Sequence, residues 1–303
     1  MQVEAKLKQS VPPSAPFKTH RTMHLKVTHS SRYAYQKQVY LEPHTFFLHP
    51  PTLACQTIRD YAIAVGPEPA VLARSNDIEG NEFHTASFRD TTDQLTVSTW
   101  FQVETLRNNP FDYVLYPFDV CTLPFQYPLE WRGLLKPYLH PASRNRKTES
   151  FALHCANEAR QSTLRFLMCL TENIYRDFSY EFREFGEPRP SEDTLRLKKG
   201  ACRDFTILMM DCCRMLGIAA RFASGYFFGS PGRERHLHAW VEIYLPGAGW
   251  RGYDPTEGIA VADRHILLAS SAYPALVAPV QGSFRGDATA SLVTEVDIEY
   301  LAP

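Results

Sequence analysis

From Met23 to about Arg107 apolar and polar positions tend to alternate, most clearly at Leu95, Val97, Thr99, Phe101 and Val103, with mostly polar residues between. A period of two sends successive side chains to opposite faces, so such a run predicts a strand with one buried face. Glu79-Gly80-Asn81 supplies a turn between two runs, and Pro43, Pro50, Pro51, Pro67 and Pro69 punctuate the others. The pattern predicts an antiparallel β domain over residues 23–125, preceded by a flexible N-terminal arm over residues 1–22. Between Asn109 and Ser150 prolines and aromatics are dense, ending in the polar stretch Ser143-Arg144-Asn145-Arg146-Lys147. Residues 126–150 therefore read as a linker or covering segment.

The period then changes. Leu153, Ala156, Ala159, Leu164, Leu167, Met168 and Leu170 recur at spacings that suit one or two packed helices over 151–177. A second helical pattern opens near Cys202, with Phe205, Leu208, Met209, Cys212, Met215 and Leu216 on one side and Gly217 as a natural stop. Three β-like runs follow at 218–228, 236–245 and 250–254, and the alternation Leu292, Thr294, Val296, Ile298, Tyr300 closes the chain. Helices followed by an antiparallel sheet predict an α+β second domain over residues 151–303.

Composition narrows the class only slightly. At 303 residues the chain holds one large domain or two ordinary ones, and 44% hydrophobic with 21% charged residues is the balance of a folded globular protein. With 32 basic and 33 acidic residues the net charge is -1, so nothing points to nucleic acid or to an anionic membrane surface. There is no uncharged apolar stretch of about 20 residues to span a membrane, and no apolar run follows Lys6, Lys8 and Lys18 as a secretory leader requires. Seven cysteines, an odd number that includes the adjacent Cys212 and Cys213, fit a reduced, cytoplasmic setting better than a disulfide framework.

Cys202 stands at the expected start of a helix, behind Gly200. Helix N-terminal amides and the macrodipole favour negative charge, which stabilises thiolate over thiol, and the same amides suit an oxyanion. A cysteine chosen blindly is more often a small buried hydrophobe, and Cys212 and Cys213 fit that description. A nucleophilic cysteine needs a histidine to take its proton and a third group to hold the imidazole. In the strand His238-Ala239-Trp240-Val241-Glu242, His238 shares a face with Trp240, Glu242 and Tyr244, and His236 competes from the same side. Asp254 ends the next strand after Pro246-Gly247-Ala248-Gly249. With Leu245 opposite Trp250 it falls on the wrong face, so a Cys202–His238–Asp254 triad requires a one-residue bulge or an equivalent shift. Glu242 is the next acid in line, and an aspartate before proline alone is usually a turn former.

These residues lie within Gly200-Ala201-Cys202-Arg203-Asp204-Phe205, then Arg214-Met215-Leu216-Gly217-Ile218-Ala219-Ala220-Arg221, Ser224-Gly225-Tyr226, His238-Ala239-Trp240-Val241-Glu242 and Trp250-Arg251-Gly252-Tyr253-Asp254-Pro255-Thr256. In this order and spacing they resemble the core of bacterial transglutaminase-like proteins, and the β-rich first third resembles the N-terminal domain that accompanies it. The resemblance implies a papain-like α+β fold with Cys202 as nucleophile, His238 as base and Asp254 as orienting acid. Arg203, where relatives more often carry an uncharged residue, either favours the thiolate or binds a substrate carboxylate; Arg203 and Trp240 are the expected substrate-binding residues. The polar loop Ser230 to Arg235 lies just before the histidine strand, either bordering the site or simply solvated.

Cys202, Cys212, Cys213, His236 and His238 read poorly as zinc ligands, because adjacent helical cysteines diverge by about 100° and no C-x2-C pair is present. No metal or cofactor is expected. The expected activity is thiol-dependent acyl transfer, with hydrolysis of a peptide or isopeptide amide ahead of transfer to an amine, since water competes unless a site excludes it. The expected partner is a peptide or protein substrate, with no nucleic acid or membrane. A non-catalytic binding protein that keeps the fold is the alternative from another class.

Overall fold

The computed structural model describes residues 22–183, 186–229 and 236–301. The expected arm at 1–22, apart from Thr22, and the Ser230 to Arg235 loop lie outside them. In the first third the alternation becomes β1 (Met23–Leu41), β2 (His44–Phe46), β3 (Gln56–Gly66), β4 (Val71–Asn76), β5 (Glu82–Ser87) and β6 (Thr91–Thr105). Leu25 and Val27 of β1 face Val103 and Phe101 of β6 in antiparallel register, and all four are buried. Gly80 takes φ +84° in the turn between β4 and β5, a backbone that glycine adopts without strain.

The helices follow: α1 (Leu129–Leu139), α2 (Arg146–Glu158), α3 (Thr163–Asp177), the short β7 (Ser179–Tyr180), α4 (Ser191–Leu197), β8 (Lys199–Gly200) and α5 (Cys202–Met215). α5 ends where Gly217 takes φ +76°. The remaining strands are β9 (Ala220–Phe227), β10 (Leu237–Leu245), β11 (Gly249–Asp254), β12 (Ile259–Ala260), β13 (His265–Ser271), β14 (Val280–Gln281), β15 (Phe284–Arg285) and β16 (Ala290–Leu301).

A five-stranded sheet ordered β12-β11-β10-β9-β13 forms the central layer. On one side α5 and its neighbours bury Phe205, Leu208, Met209 and Cys212 against Ala239, Val241 and Ile243. Burying a side chain of the Phe205 or Leu208 type contributes about 1.5–3 kcal/mol over leaving it exposed. On the other side Tyr226, Ile266 and Leu268 share a core with Leu25, Phe46 and Phe101, so the β domain backs the sheet.

β13 is an edge strand of that layer, and its backbone is not left open. Gln56 donates from Nε2 to the Leu267 carbonyl and accepts at Oε1 from the Leu267 N–H, both at 2.9 Å. Asn81 makes the same reciprocal pair with Ser270, at 2.9 and 2.8 Å. Two amide side chains of the β domain thus act as surrogate strand partners, which a buried edge requires.

Two segments carry structure that the sequence pattern did not specify. The 126–150 segment holds α1 and the start of α2, whose N-cap Asn145 accepts from the Thr148 N–H at 2.8 Å; Pro137 inside α1 hid its helical pattern. The closing alternation does not belong to the second domain: β16 pairs antiparallel with β1, Leu25 opposite Tyr300, and β15 pairs with the other end of β1. Alternation predicts a strand but does not name its partner. No helix among the described residues is long and apolar enough to cross a membrane.

Candidate active site

Cys202 is the first residue of α5 and is half-buried. Its N-cap, Ala201, has no side-chain acceptor, so Asp204 supplies the cap from within the first turn. Asp204 Oδ2 accepts from the Ala201 N–H at 2.8 Å, while Oδ1 accepts from the Arg189 N–H at 2.7 Å and from Arg183 Nη2 at 2.6 Å. This carboxylate is fully buried, which the Arg183 ion pair and three hydrogen bonds make tolerable. Gly200 is required by proximity: a Cβ there would lie 2.8 Å from Asp204 Cβ.

The β10–β11 hairpin delivers the other two groups. Gly247 and Gly249 take φ +81° and +73°, and Gly249 rather than Trp250 stands opposite Leu245. Tyr253 then pairs with Val241, so Asp254 comes level with Trp240, on the face of His238. The shift demanded by the triad arises in a shortened turn and not in a strand bulge.

His238 Nε2 donates to Asp254 Oδ2 at 2.7 Å, which leaves Nδ1 for Cys202, within hydrogen-bonding reach of the ring. Asp254 has no exposed surface, and its Oδ1 accepts the N–H groups of Thr256 and Glu257 at 2.8 and 3.2 Å. A second imidazole, absent from the sequence expectations, completes the shell: His265 Nε2 donates to the same Oδ2 at 2.9 Å. Burial alone would lower the pKa of His238, but the Asp254 carboxylate and the contact with Cys202 outweigh it and hold it well above the usual histidine range. Burial likewise works against the Asp254 carboxylate, yet His238 and His265 hold its pKa well below the ordinary one. His265 responds in the opposite sense to His238: burial lowers it despite the same carboxylate.

A cleft of about 800 Å³ opens at His238. Its walls include Tyr175, Phe178, Tyr180, Phe182 and Phe227, an aromatic lining that suits an apolar ligand segment. His236 also lines the cleft, its ring 4.6 Å from that of Phe182, whereas His238 and His265 donate to Asp254.

The other sequence candidates take different places. Trp240 is 1% exposed and packs with Ala223 and Leu267 behind the histidines, so its expected contact with substrate is corrected to a packing role. Gly225 makes room for it: a Cβ there would lie 2.6 Å from Trp240 Cη2 and 2.1 Å from the Ile266 carbonyl oxygen. Arg203 is half-buried, and its Nη1 donates to the Arg183 carbonyl at 2.8 Å, bracing the segment that reaches Asp204. Glu242 is paired with Arg221 at 2.8 Å. Cys212 and Cys213 are fully buried farther along α5. His265 had one trace in the sequence, a lone polar residue heading the apolar run Ile266-Leu267-Leu268-Ala269.

An α+β core with a cysteine at a helix start, facing histidine and aspartate on adjoining strands, defines a thiol-bearing, papain-like architecture. The description "Transglutaminase-like superfamily" matches residues 150–255, which include all three residues, and "Bacterial transglutaminase-like N-terminal region" matches residues 25–104. Residues 150–255 are thus a transglutaminase-like core, and residues 25–104 in front of it are the bacterial transglutaminase-like N-terminal region. It is similar over most of its length to the Mycobacterium tuberculosis protein Rv2569c, at 27% identity over 303 residues, 92% of this chain and 93% of that one. A Mycobacterium leprae protein, ML0607, is 31% identical over 118 residues, 36% of this chain and 41% of its own. The crystal structure of a "Putative Cysteine Protease from Cytophaga hutchinsonii" has the same fold, with a TM-score of 0.72 at 21% identity over 93% of this chain and 92% of that one.

Proposed function

We propose that the protein is a thiol-dependent acyl-transfer enzyme that hydrolyses a peptide or isopeptide amide, with Cys202, His238 and Asp254 as its catalytic triad. The observation that carries this reading is the single imidazole of His238, joined to Asp254 at 2.7 Å and within reach of Cys202, at the edge of an aromatic cleft. The Cys202 thiolate attacks the amide carbonyl and forms the C–S bond; the tetrahedral oxyanion collapses, the C–N bond breaks, and the amine leaves with a proton from His238. Water, deprotonated by His238, then cleaves the thioester. Asp254 moves no proton; it holds the ring and stabilises its charged form. The helix dipole and first-turn amides of α5 suit the oxyanion that develops on the substrate carbonyl. All seven cysteines are free thiols, which supports a reducing, cytoplasmic setting for a peptide or protein substrate.

The test is a panel of peptide and isopeptide amides with intact-mass readout of the thioester. An acyl adduct on Cys202 that clears in water is expected, and is absent in Cys202→Ala and His238→Ala but retained in large part in His236→Ala. Clearance only when a primary amine is added identifies a transglutaminase, and no adduct with any substrate favours a binding protein.

A further inference from the structure

Among the described residues, a buried imidazole beside Asp254 has no task in the triad. His265 opens β13, has a side chain 1% exposed, and aims Nε2 at Asp254 Oδ2, the oxygen that also receives His238. A carboxylate only accepts, so His265 carries its proton on Nε2. Its Nδ1 is buried without a hydrogen-bond partner. The titratable groups around it are Asp254, His238, Arg264 and Asp263, with the ring of Trp240 5.2 Å away in a T-shaped contact. Asp263 is a second carboxylate in the neighbourhood, but it acts only through space, since Nδ1 has no hydrogen-bond partner and Nε2 is taken by Asp254.

We infer that His265 is a positioning residue for the triad, whose Nε2–H, together with the Thr256 and Glu257 amides, fixes the Asp254 carboxylate against His238. This rests on the reading of Cys202, His238 and Asp254 given above.

The physical case is an asymmetry between two histidines on one oxygen. Both meet the same anion at nearly the same distance, yet only His238 has a second polar contact, with Cys202, that gains from its charge. Protonating His265 would bury a second positive charge and leave a new Nδ1–H without an acceptor, which is costly in a dry interior. His265 therefore supplies a dipole while His238 takes up the charge. With four donors on its two oxygens, Asp254 has no freedom to rotate away from His238. The strand that carries His265 is itself held by Gln56 and Asn81 of the β domain, which gives that domain a mechanical path to the site.

The experiment follows Cys202 alkylation by limiting iodoacetamide from pH 5 to 9 in the full chain, mapped by mass spectrometry, in His265→Leu and His265→Gln. Leucine removes the donor, whereas glutamine keeps an N–H near the Nε2 position. The expected result is a profile displaced toward higher pH by about one unit in His265→Leu, hence about tenfold slower labelling at pH 6, with most of the loss recovered in His265→Gln. An unchanged profile in His265→Leu, or equal displacement in both variants, overturns the inference. Should the leucine variant not fold, nitrogen NMR of the wild type decides: a neutral, Nε2-protonated His265 across this range sustains it, and a charged or Nδ1-protonated ring overturns it. His238→Ala and Asp254→Asn serve as controls, since an unchanged Cys202 profile in those two sinks the triad rather than the role of His265.

Discussion

Tyr244 stands directly opposite Trp250 across the β10–β11 hairpin, and this pairing sets which face of the sheet Asp254 occupies. A slip of one residue would turn every side chain of β11 over and carry Asp254 away from His238. The turn that enforces the pairing is built on Gly247, where a Cβ would lie 2.5 Å from the Val114 carbonyl oxygen at φ +81°. Gly247→Ala should cost at least about 2 kcal/mol, from left-handed strain plus the clash. Gly249→Ala, at φ +73° in open space, should cost only about 1 kcal/mol. Urea unfolding of the two variants checks the difference, and equal costs would mean that the clash relaxes.

Asp254→Asn presents an amide where four N–H groups donate. Its carbonyl can serve Thr256 and Glu257, but the NH₂ then faces His238 and His265, so a ring must change tautomer. Turnover should fall by about 10²- to 10⁴-fold. Because the group is fully buried, stability should also fall, by about 1–3 kcal/mol. Single-turnover kinetics beside thermal unfolding measure both, and near-normal turnover would exclude Asp254 from the mechanism.

Gln56→Ala and Asn81→Ala each strip β13 of a reciprocal pair of hydrogen bonds at a buried edge. A loss of about 2–4 kcal/mol is expected for either, since two backbone groups are left unsatisfied. Hydrogen exchange should show faster exchange at the Leu267 amide in the first variant and at the Ser270 amide in the second. Exchange rising equally at both amides in both variants would mean that the edge opens as one unit.

His29 gives a pH dependence with a defined sign. Buried between the Tyr226 hydroxyl at 2.6 Å and Ser31 Oγ at 2.8 Å, it is lowered by burial to about 4. Between its unfolded value near 6.5 and about 4 the unfolded chain binds the proton and the folded one does not, so its contribution is full above pH 6.5 and is lost as pH falls through 4. The loss is on the order of 3 kcal/mol. Denaturant unfolding at pH 7 and pH 4.5 should show a steeper decline in the wild type than in His29→Gln; parallel declines would assign the acid sensitivity to other groups.

The period-two and three-to-four patterns made most strands and the Cys202 helix legible, because burial on one face leaves its mark on each residue in turn. Gly217 and Glu79-Gly80-Asn81 marked their turns for the same local reason. What lay beyond reach was pairing. The partner of β16, the register at Trp250 and the approach of His265 to Asp254 all depend on residues distant in sequence. Trp240 misled because an aromatic beside a histidine reads alike whether it faces ligand or core, and only the space left by Gly225 shows that it points inward.

The union of β1 with β16 also sets an order of events during synthesis. On the ribosome the chain from Met23 onward emerges long before Ala290–Leu301, so β1 must wait through the synthesis of everything between them with one edge unpaired. β6 can zip onto the opposite edge early. This sheet is thus begun before the core that lies between its strands and completed after it, and a nascent chain stalled before residue 290 exposes a strand edge that another such chain can occupy.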